Sequence, residues 1–272
     1  MILLAMGNAA AVLRELGGLG AVLAAGAGAV AWGALAPLSQ LFGNTIRGTS
    51  NPHTVALSFD DGPNPALTPR LLRLLEENRI RATFFLIGRF VRECPALVQE
   101  IAAQGHTIAN HTDTHPSLFW LTPSQIRDEL ARCQDSIEKA CGQRPIWMRP
   151  PFGIRGPHLS SVVRRVGFRG VVMWSRWARD WKPQHIAEIV QRLRRVRGGD
   201  IVLLHDGDHR QLRGDRNMTL AGLDYWLPLW KSAGLEFVTL DDLAGGCVPA
   251  TAPVPREKFA PGPLHKSKAV NK

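Results

Sequence analysis

Cysteine and tyrosine are scarce in this chain, with four and one respectively among 272 residues. Cys94, Cys133, Cys141 and Cys247 form no C-x-x-C pair, which removes both a zinc knuckle and a thioredoxin-like redox motif. Cys133 and Cys141 fall in one helical pattern, where the rise between them, about 12 Å, exceeds the reach of a disulfide. No G-x-G-x-x-G follows the first apolar strand pattern, so a dinucleotide has no phosphate cradle. No stretch interleaves aromatic with basic residues as a single-strand stacking platform does, and no nucleic acid is expected as a partner.

What is plentiful is positive charge and glycine. Thirty-three Lys and Arg against 23 Asp and Glu give a net charge of +10, which favours an anionic neighbour such as a membrane surface or an acidic polymer. The densest basic run, "RLRRVRGG" around Arg194 and Arg195, is interleaved with Ile189, Leu193 and Val196 and reads as the solvated face of a helix. From Leu16 to Ile46 no residue is charged. That run exceeds the roughly 20 residues that cross a bilayer, although Gly and Ala dilute it and Pro37 interrupts it. A membrane anchor, a signal cleaved after "ALA" and a peripheral helix are the three readings. The anchor is taken first, and with it a membrane-associated or cell-envelope location.

Beyond residue 50 short apolar runs alternate with amphipathic helical patterns. "TVALSF", "ATFFLIG", "HTIANH", "IWMRPP", "GVVMWS", "DIVLLHD" and "EFVTLDD" are the strands, with helix patterns between them. Thr122-Pro123 with Gln125 marks a helix start, and Gly105, Gly142 and Gly234 lie just past helix ends. This alternation predicts an α/β fold, a distorted or incomplete (β/α) barrel of about seven parallel strand-helix units. The expected organisation is an apolar segment over 1–50, a catalytic domain over 51–246, and a disordered basic tail, rich in Pro and Lys, over 247–272.

The unusual polar residues fall at strand C-termini, which in a parallel barrel open on one face. "SFDDGPNP" puts Asp60 and Asp61 after the first strand; read alone, it is an ordinary Asx-type turn. His111 and His115 follow the third strand, Arg149 ends the fourth, Asp180 and Trp181 follow the fifth, and His205 with Asp206 ends the sixth. Two histidines four apart, placed on a helical turn, share one face. With one carboxylate they make an N,N,O set that leaves a coordination position open. The other carboxylate is then free to accept a proton from water.

In that order and spacing, "SFDDGP", "HTDTHP", "RPPFG" and "IVLLHDG" resemble the polysaccharide deacetylases of carbohydrate esterase family four, the nodulation-deacetylase homology domain, over roughly residues 52–245. The resemblance implies metal-dependent hydrolysis of an N-acetyl, less often O-acetyl, group on a saccharide. It makes Asp60 the general base, paired with Arg149, and Asp61, His111 and His115 the ligands of a divalent cation, Zn2+ ahead of Co2+, Ni2+, Mn2+ or Fe2+. His205 becomes the general acid, the backbone near Phe152 an oxyanion site, and Leu204 and Trp181 the lining of the acetyl pocket.

One position departs from the family pattern. Trp177 stands four residues before Trp181, where the family usually has an Asp that supports the catalytic histidine. His205 is therefore expected to be a weaker acid with a lowered pKa, unless Asp180 or Asp206 substitutes, or Trp177 narrows the sugar groove. Two other functions compete with deacetylation of an acetylated saccharide. One is deformylation of an amino sugar on a lipid carrier, and the other is saccharide binding by a decayed site.

Overall fold

A computed structural model describes residues 21–182 and 185–244. Nine strands form one sheet, and every strand pairing is parallel. They are β1 (Thr45–Ile46), β2 (Thr54–Gly62), β3 (Thr83–Leu86), β4 (Thr107–Asn110), β5 (Trp147–Met148), β6 (Gly170–Val172), β7 (Arg176–Trp177), β8 (Ile201–His205) and β9 (Glu236–Phe237). Their order is β1-β6-β5-β4-β3-β2-β8-β7, with β9 on the first residues of β2. The sheet closes through a bend rather than a pair of full edge strands. The chain over 170–177 pairs with β5 and β1 in its first half and with β8 in its second. Between the halves, Met173 N–H donates to Ile46 O and Ser175 N–H to Ile201 O. That is a curled, distorted barrel.

Helices α2 (Thr68–Glu77), α3 (Gly88–Glu93), α4 (Pro95–Ala103), α5 (Pro123–Cys141), α6 (Leu159–Val166), α7 (Ile186–Leu193), α8 (Asn217–Ser232) and α9 (Leu240–Ala244) cover the outside, after a first helix α1 described over 21–35. Thr122 and Gln125 form a reciprocal capping box at the start of α5, and Gly142 ends it at φ 74°, where a side chain would be strained. Cys133 and Cys141 both lie on α5 and are free thiols.

The two-residue side-chain period sorts the core. Val55, Leu57 and Phe59 of β2, Phe84 of β3 and Val202 and Leu204 of β8 face outward, onto Leu71, Leu72 and Leu75 of α2 and Leu223 and Leu227 of α8. Ala56, Phe85, Met148, Ile201, Leu203 and Trp174 form the other cluster. Ser58 and Asp60 share the parity of Ala56, so the polar end of β2 faces the barrel interior.

The uncharged run over 16–46 does not form one continuous helix. Its residues 16–20 lie outside the described residues, α1 ends before Pro37, and Thr45–Ile46 is a strand of the barrel on the N-terminal side of the boundary expected at residue 51. No helix among the described residues is long and apolar enough to cross a membrane. The end of α1 is held by Arg155, a buried cation that donates to the carbonyls of Gly33, Ala36 and Ser39. A cation on the orphan carbonyls of a helix C-terminus is favourable both as hydrogen bonding and toward the helix dipole. The tail over 247–272 lies outside the described residues.

Phe84 is fully buried, with its ring stacked 5.2 Å from Phe59 and edge-on to His106. Phe84→Ala is expected to destabilise the domain by about 3–5 kcal/mol, read from the midpoint of urea unfolding, because the void lies under a strand that cannot collapse.

Candidate active site and metal centre

The last turn of β2 answers why two like charges sit side by side. Strand alternation would send Asp60 and Asp61 to opposite faces. The pairing of β2 with β3 shifts register between Asp60 and Gly62, and Asp61 adopts φ 71°. This bulge turns both carboxylates toward the same histidine: His111 Nε2 is 3.7 Å from Asp60 Oδ2 and 3.5 Å from Asp61 Oδ1. Both side chains are about 5% exposed, so each charge requires its own compensation.

Asp60 receives it from Arg149, whose Nη1 donates to Asp60 Oδ1 at 2.7 Å and to Ser58 Oγ at 2.9 Å. Arg149 is wholly buried, with its guanidinium 4.0 Å above the Phe85 ring and further bonds to the Val172 and Met173 carbonyls. A cation held on so many contacts has one position, and it fixes the Asp60 carboxylate with it.

Asp61 is compensated differently. Burial would raise its pKa, but contacts with His111, His115 and His209 hold it well below the ordinary carboxylate range. Its Oδ1 has no hydrogen-bond partner, although His115 Nε2 lies 3.2 Å away. Two atoms bound about 2.0–2.2 Å from one ion at a tetrahedral angle are separated by roughly 3.3 Å. The 3.2 and 3.5 Å spacings from Asp61 Oδ1 to the two histidines match that separation. His111 Nδ1–H donates to Arg149 O at 2.8 Å, which turns the Nε2 lone pair toward the carboxylates, and burial lowers His115 to about 4, so its imidazole is neutral. An orphaned carboxylate oxygen facing the Nε2 atoms of His111 and His115 fits a divalent cation.

The two histidines do not share a helical turn, contrary to the spacing argument. Residues 111–115 are a loop in which Thr112 and His115 take φ 69° and 63°. Its exposed amides are collected by Glu129 of α5. One carboxylate oxygen accepts from Asp113 N and Thr114 N, and the other from Thr114 Oγ1. Thr112 Oγ1 accepts from His115 N, and Asp113 is clamped by Arg92 and Arg132. The pairing in space therefore comes from a loop braced on α3 and α5.

His205, opposite Asp60 across the β2–β8 register, has a strong partner. Its Nδ1–H donates to Asp180 Oδ1 at 2.9 Å and its backbone N–H to Asp180 Oδ2 at 2.8 Å, and Thr219 also donates to that carboxylate. Burial alone would lower the imidazole, but Asp180, with Asp61 and Asp60 behind it, raises it to about 9. The exception allowed for Asp180 therefore applies, and the supporting carboxylate is the one directly before Trp181. Asp206 is not a substitute. It points to the other face of β8, where it accepts from Thr68 and fills the space beside Gly62. Burial raises it to about 7.

The remaining expected residues divide. Trp181 lies edge-on to His205 at 5.3 Å, and Trp177 stands between Trp174 and Trp181, 37% exposed, with Arg179 over its ring. Phe152 takes φ 59° in the turn Pro151–Gly153 and packs 4.6 Å from His115. Leu204 is misplaced by one residue of strand period. It faces the outer core with Val202, whereas Leu203 lies on the His205 side of β8 and is the residue able to line the site. His209 was not anticipated at all. It stacks on His115 at 4.3 Å, and its only sequence signal was the four-residue spacing from His205 in "HDGDH".

In metal-free protein, Asp180→Asn is expected to lower the His205 pKa from about 9 by about 1–3 units, since the charge that opposes burial is gone. Trp177→Asn is expected to leave it near 9. NMR titration of the His205 imidazole checks both, and equal shifts would mean that the Asp180 charge is not what holds the value up.

The arrangement has close relatives. Residues 47–171 match the model of the polysaccharide deacetylase family. A chitooligosaccharide deacetylase of Bradyrhizobium sp. (strain ANU 289) is 38% identical over 71% of this chain and 92% of its own length. The crystal structure of the Bc1960 peptidoglycan N-acetylglucosamine deacetylase superposes with a TM-score of 0.67 at 31% identity, over 73% of this chain and 91% of that one. A CE4 family pseudoenzyme from Bacillus anthracis is also similar, with a TM-score of 0.65 at 29% identity over 73% of this chain and 67% of that one. The chain therefore belongs to the polysaccharide deacetylase family of hydrolases, which act on carbon–nitrogen bonds.

Proposed function

We propose that this protein hydrolyses the N-acetyl group of N-acetylglucosamine units in a saccharide or polysaccharide. The observation that carries the reading is the division of labour between adjacent carboxylates. Asp60 is locked on Arg149, and Asp61 turns an unpartnered oxygen to His111 and His115. A divalent cation held by Asp61, His111 and His115 would supply Lewis acidity to the acetyl carbonyl and to the attacking water. The spacings from Asp61 Oδ1 to the two histidines, close to those of a tetrahedral site, support zinc as the cation.

The other steps belong to the chain's own side chains. Asp60, oriented by Arg149, accepts the proton of the attacking water. His205 carries a proton at neutral pH because Asp180 holds Nδ1–H, which leaves Nε2–H to protonate the departing amine. Leu203 and Trp181 exclude water around the acetyl methyl, and the Pro151–Gly153 backbone meets the carbonyl oxygen. The substrate class is taken from relatives whose names specify chitooligosaccharide and peptidoglycan N-acetylglucosamine. Apolar Val22, Leu23 and Trp32, exposed on α1, together with the net charge of +10, support work at a membrane or cell envelope.

The test is acetate release by the full chain from N-acetylglucosamine oligomers and from peptidoglycan. Formate from an N-formyl amino sugar, without acetate, would move the function to deformylation, and neither product would make the chain a pseudoenzyme. Asp61→Asn is expected to lose the metal. Asp60→Asn is expected to keep it and lose about 100- to 10,000-fold in kcat. Metal analysis beside the rate separates the two variants, and full activity with normal metal in both would reduce the pair to a turn.

A further inference from the structure

The two histidines beside Asp61 hang on a loop that no strand or helix holds. Residues 111–115 lie beyond the end of β4, and Thr112 and His115 take φ 69° and 63°. Such a conformation costs on the order of 1 kcal/mol or more at each residue, so it persists only where the surroundings impose it. Every backbone amide of the loop has an acceptor. His111 N donates to Leu86 O, Thr112 N to Asn110 Oδ1 and His115 N to Thr112 Oγ1. The other two, Asp113 N at 3.0 Å and Thr114 N at 2.8 Å, both go to Glu129 Oε2.

The carbonyl side of the loop is fixed as well. Gly88 N and Arg89 N, the first amides of α3, donate to the carbonyls of Thr112 and Asp113 at 3.0 Å. A Cβ on Gly88 would lie 2.8 Å from Cys133 Cα on α5, so glycine is what lets the loop, α3 and α5 meet there. Into that junction Glu129 brings a charge. Its side chain is 8% exposed, and its Oε1 accepts from Thr114 Oγ1 and from Arg132 Nη2. Bonds from backbone N–H to a carboxylate are roughly twice as strong as those between neutral groups, so Glu129 grips the loop harder than a carbonyl would.

We propose that Glu129 is the positioning residue of the metal centre, setting how tightly the ion is held by fixing the separation of His111 and His115. This rests on the reading that Asp61 and those histidines hold a metal. Glu129 acts through the loop backbone and not on the ion. Asp113 and Thr114 lie between the histidines, so release of their amides lets Thr112 and His115 leave their strained conformations. The Nε2 atoms then drift from Asp61 Oδ1, while Asp61 stays on its own bulge in β2.

The experiment uses the full chain, stripped with a chelator and titrated with Zn2+ against a chelating dye, for wild type, Glu129→Ala, Glu129→Gln and Asp61→Asn. Glu129→Ala is expected to bind Zn2+ about 10- to 100-fold more weakly. Glu129→Gln keeps the size and one acceptor but not the charge, and a smaller loss in the same direction is expected. The visible absorption of the Co2+ form is expected to change in Glu129→Ala, reporting a displaced ligand. Urea unfolding of the stripped proteins isolates a purely structural role, which would lower the midpoint and leave the affinity of the folded protein alone. Wild-type affinity and an unchanged Co2+ spectrum in Glu129→Ala would overturn the proposal, whatever its midpoint. If the alanine variant fails to fold, wild-type affinity in Glu129→Gln overturns it instead. Should Asp61→Asn nevertheless lose the ion, the three-ligand site stands. Wild type that binds no Zn2+ would overturn both.

Discussion

Two carboxylates buried at the end of the central strand are the constraint around which this barrel is arranged. Neither can be left uncompensated in a site about 5% exposed, and the two cannot share one partner, since each needs a different chemistry. The fold resolves the conflict by geometry. Arg149 reaches Asp60 through the barrel interior from the end of β5, and the histidines meet Asp61 from the loop after β4. A single bulge in β2 lets adjacent residues face the same cleft.

That solution requires strain in a few defined places. Asp61, Thr112, His115 and Phe152 are four of the six non-glycine residues with positive φ among the described residues. Each such residue costs on the order of 1 kcal/mol or more, so the surroundings must over-determine it. They do: Glu129 gathers the amides of the histidine loop, Arg92 and Arg132 fix Asp113, and the β2–β3 register holds the bulge. The strain lies where side chains must converge against strand and helix periodicity. The outer core, where ordinary alternation suffices, shows none of it on β2, β3 or β8.

The same division explains what could be read from the sequence. The strands from β2 onward, except the two-residue β7, were legible because apolar runs, turn residues and helix caps act locally, and the capping box at Thr122 is such a signal. β1 was hidden, since Thr45–Ile46 is a two-residue strand at the end of an uncharged run. Asp60, Asp61, His111, His115, Arg149 and His205 were legible as a group because a parallel barrel gathers strand C-termini. Individual directions were not. The loop at 111–115 brings its histidines together without a helix. Leu204 was chosen where the strand period places Leu203. Asp180 ranked below the missing carboxylate at Trp177, although backbone and side chain of His205 both donate to it. His209 required the contact itself, because a loop residue has no period to betray it.

One similar structure, at 29% identity, is that of a pseudoenzyme of the same family. What bears on activity is whether the site's charges are mutually dependent. Remove the arginine, and Asp60 is a buried carboxylate without its cation. Remove Asp180, and the burial that lowers the His205 pKa is opposed only by Asp61 and Asp60. Without the histidines, Asp61 has no reason to be buried in a left-handed turn. Each of these groups is unfavourable alone and is held by its partner, so removal of one leaves a buried group uncompensated. In this chain Arg149 stands on Asp60, the two histidines on Asp61, and Asp180 on His205.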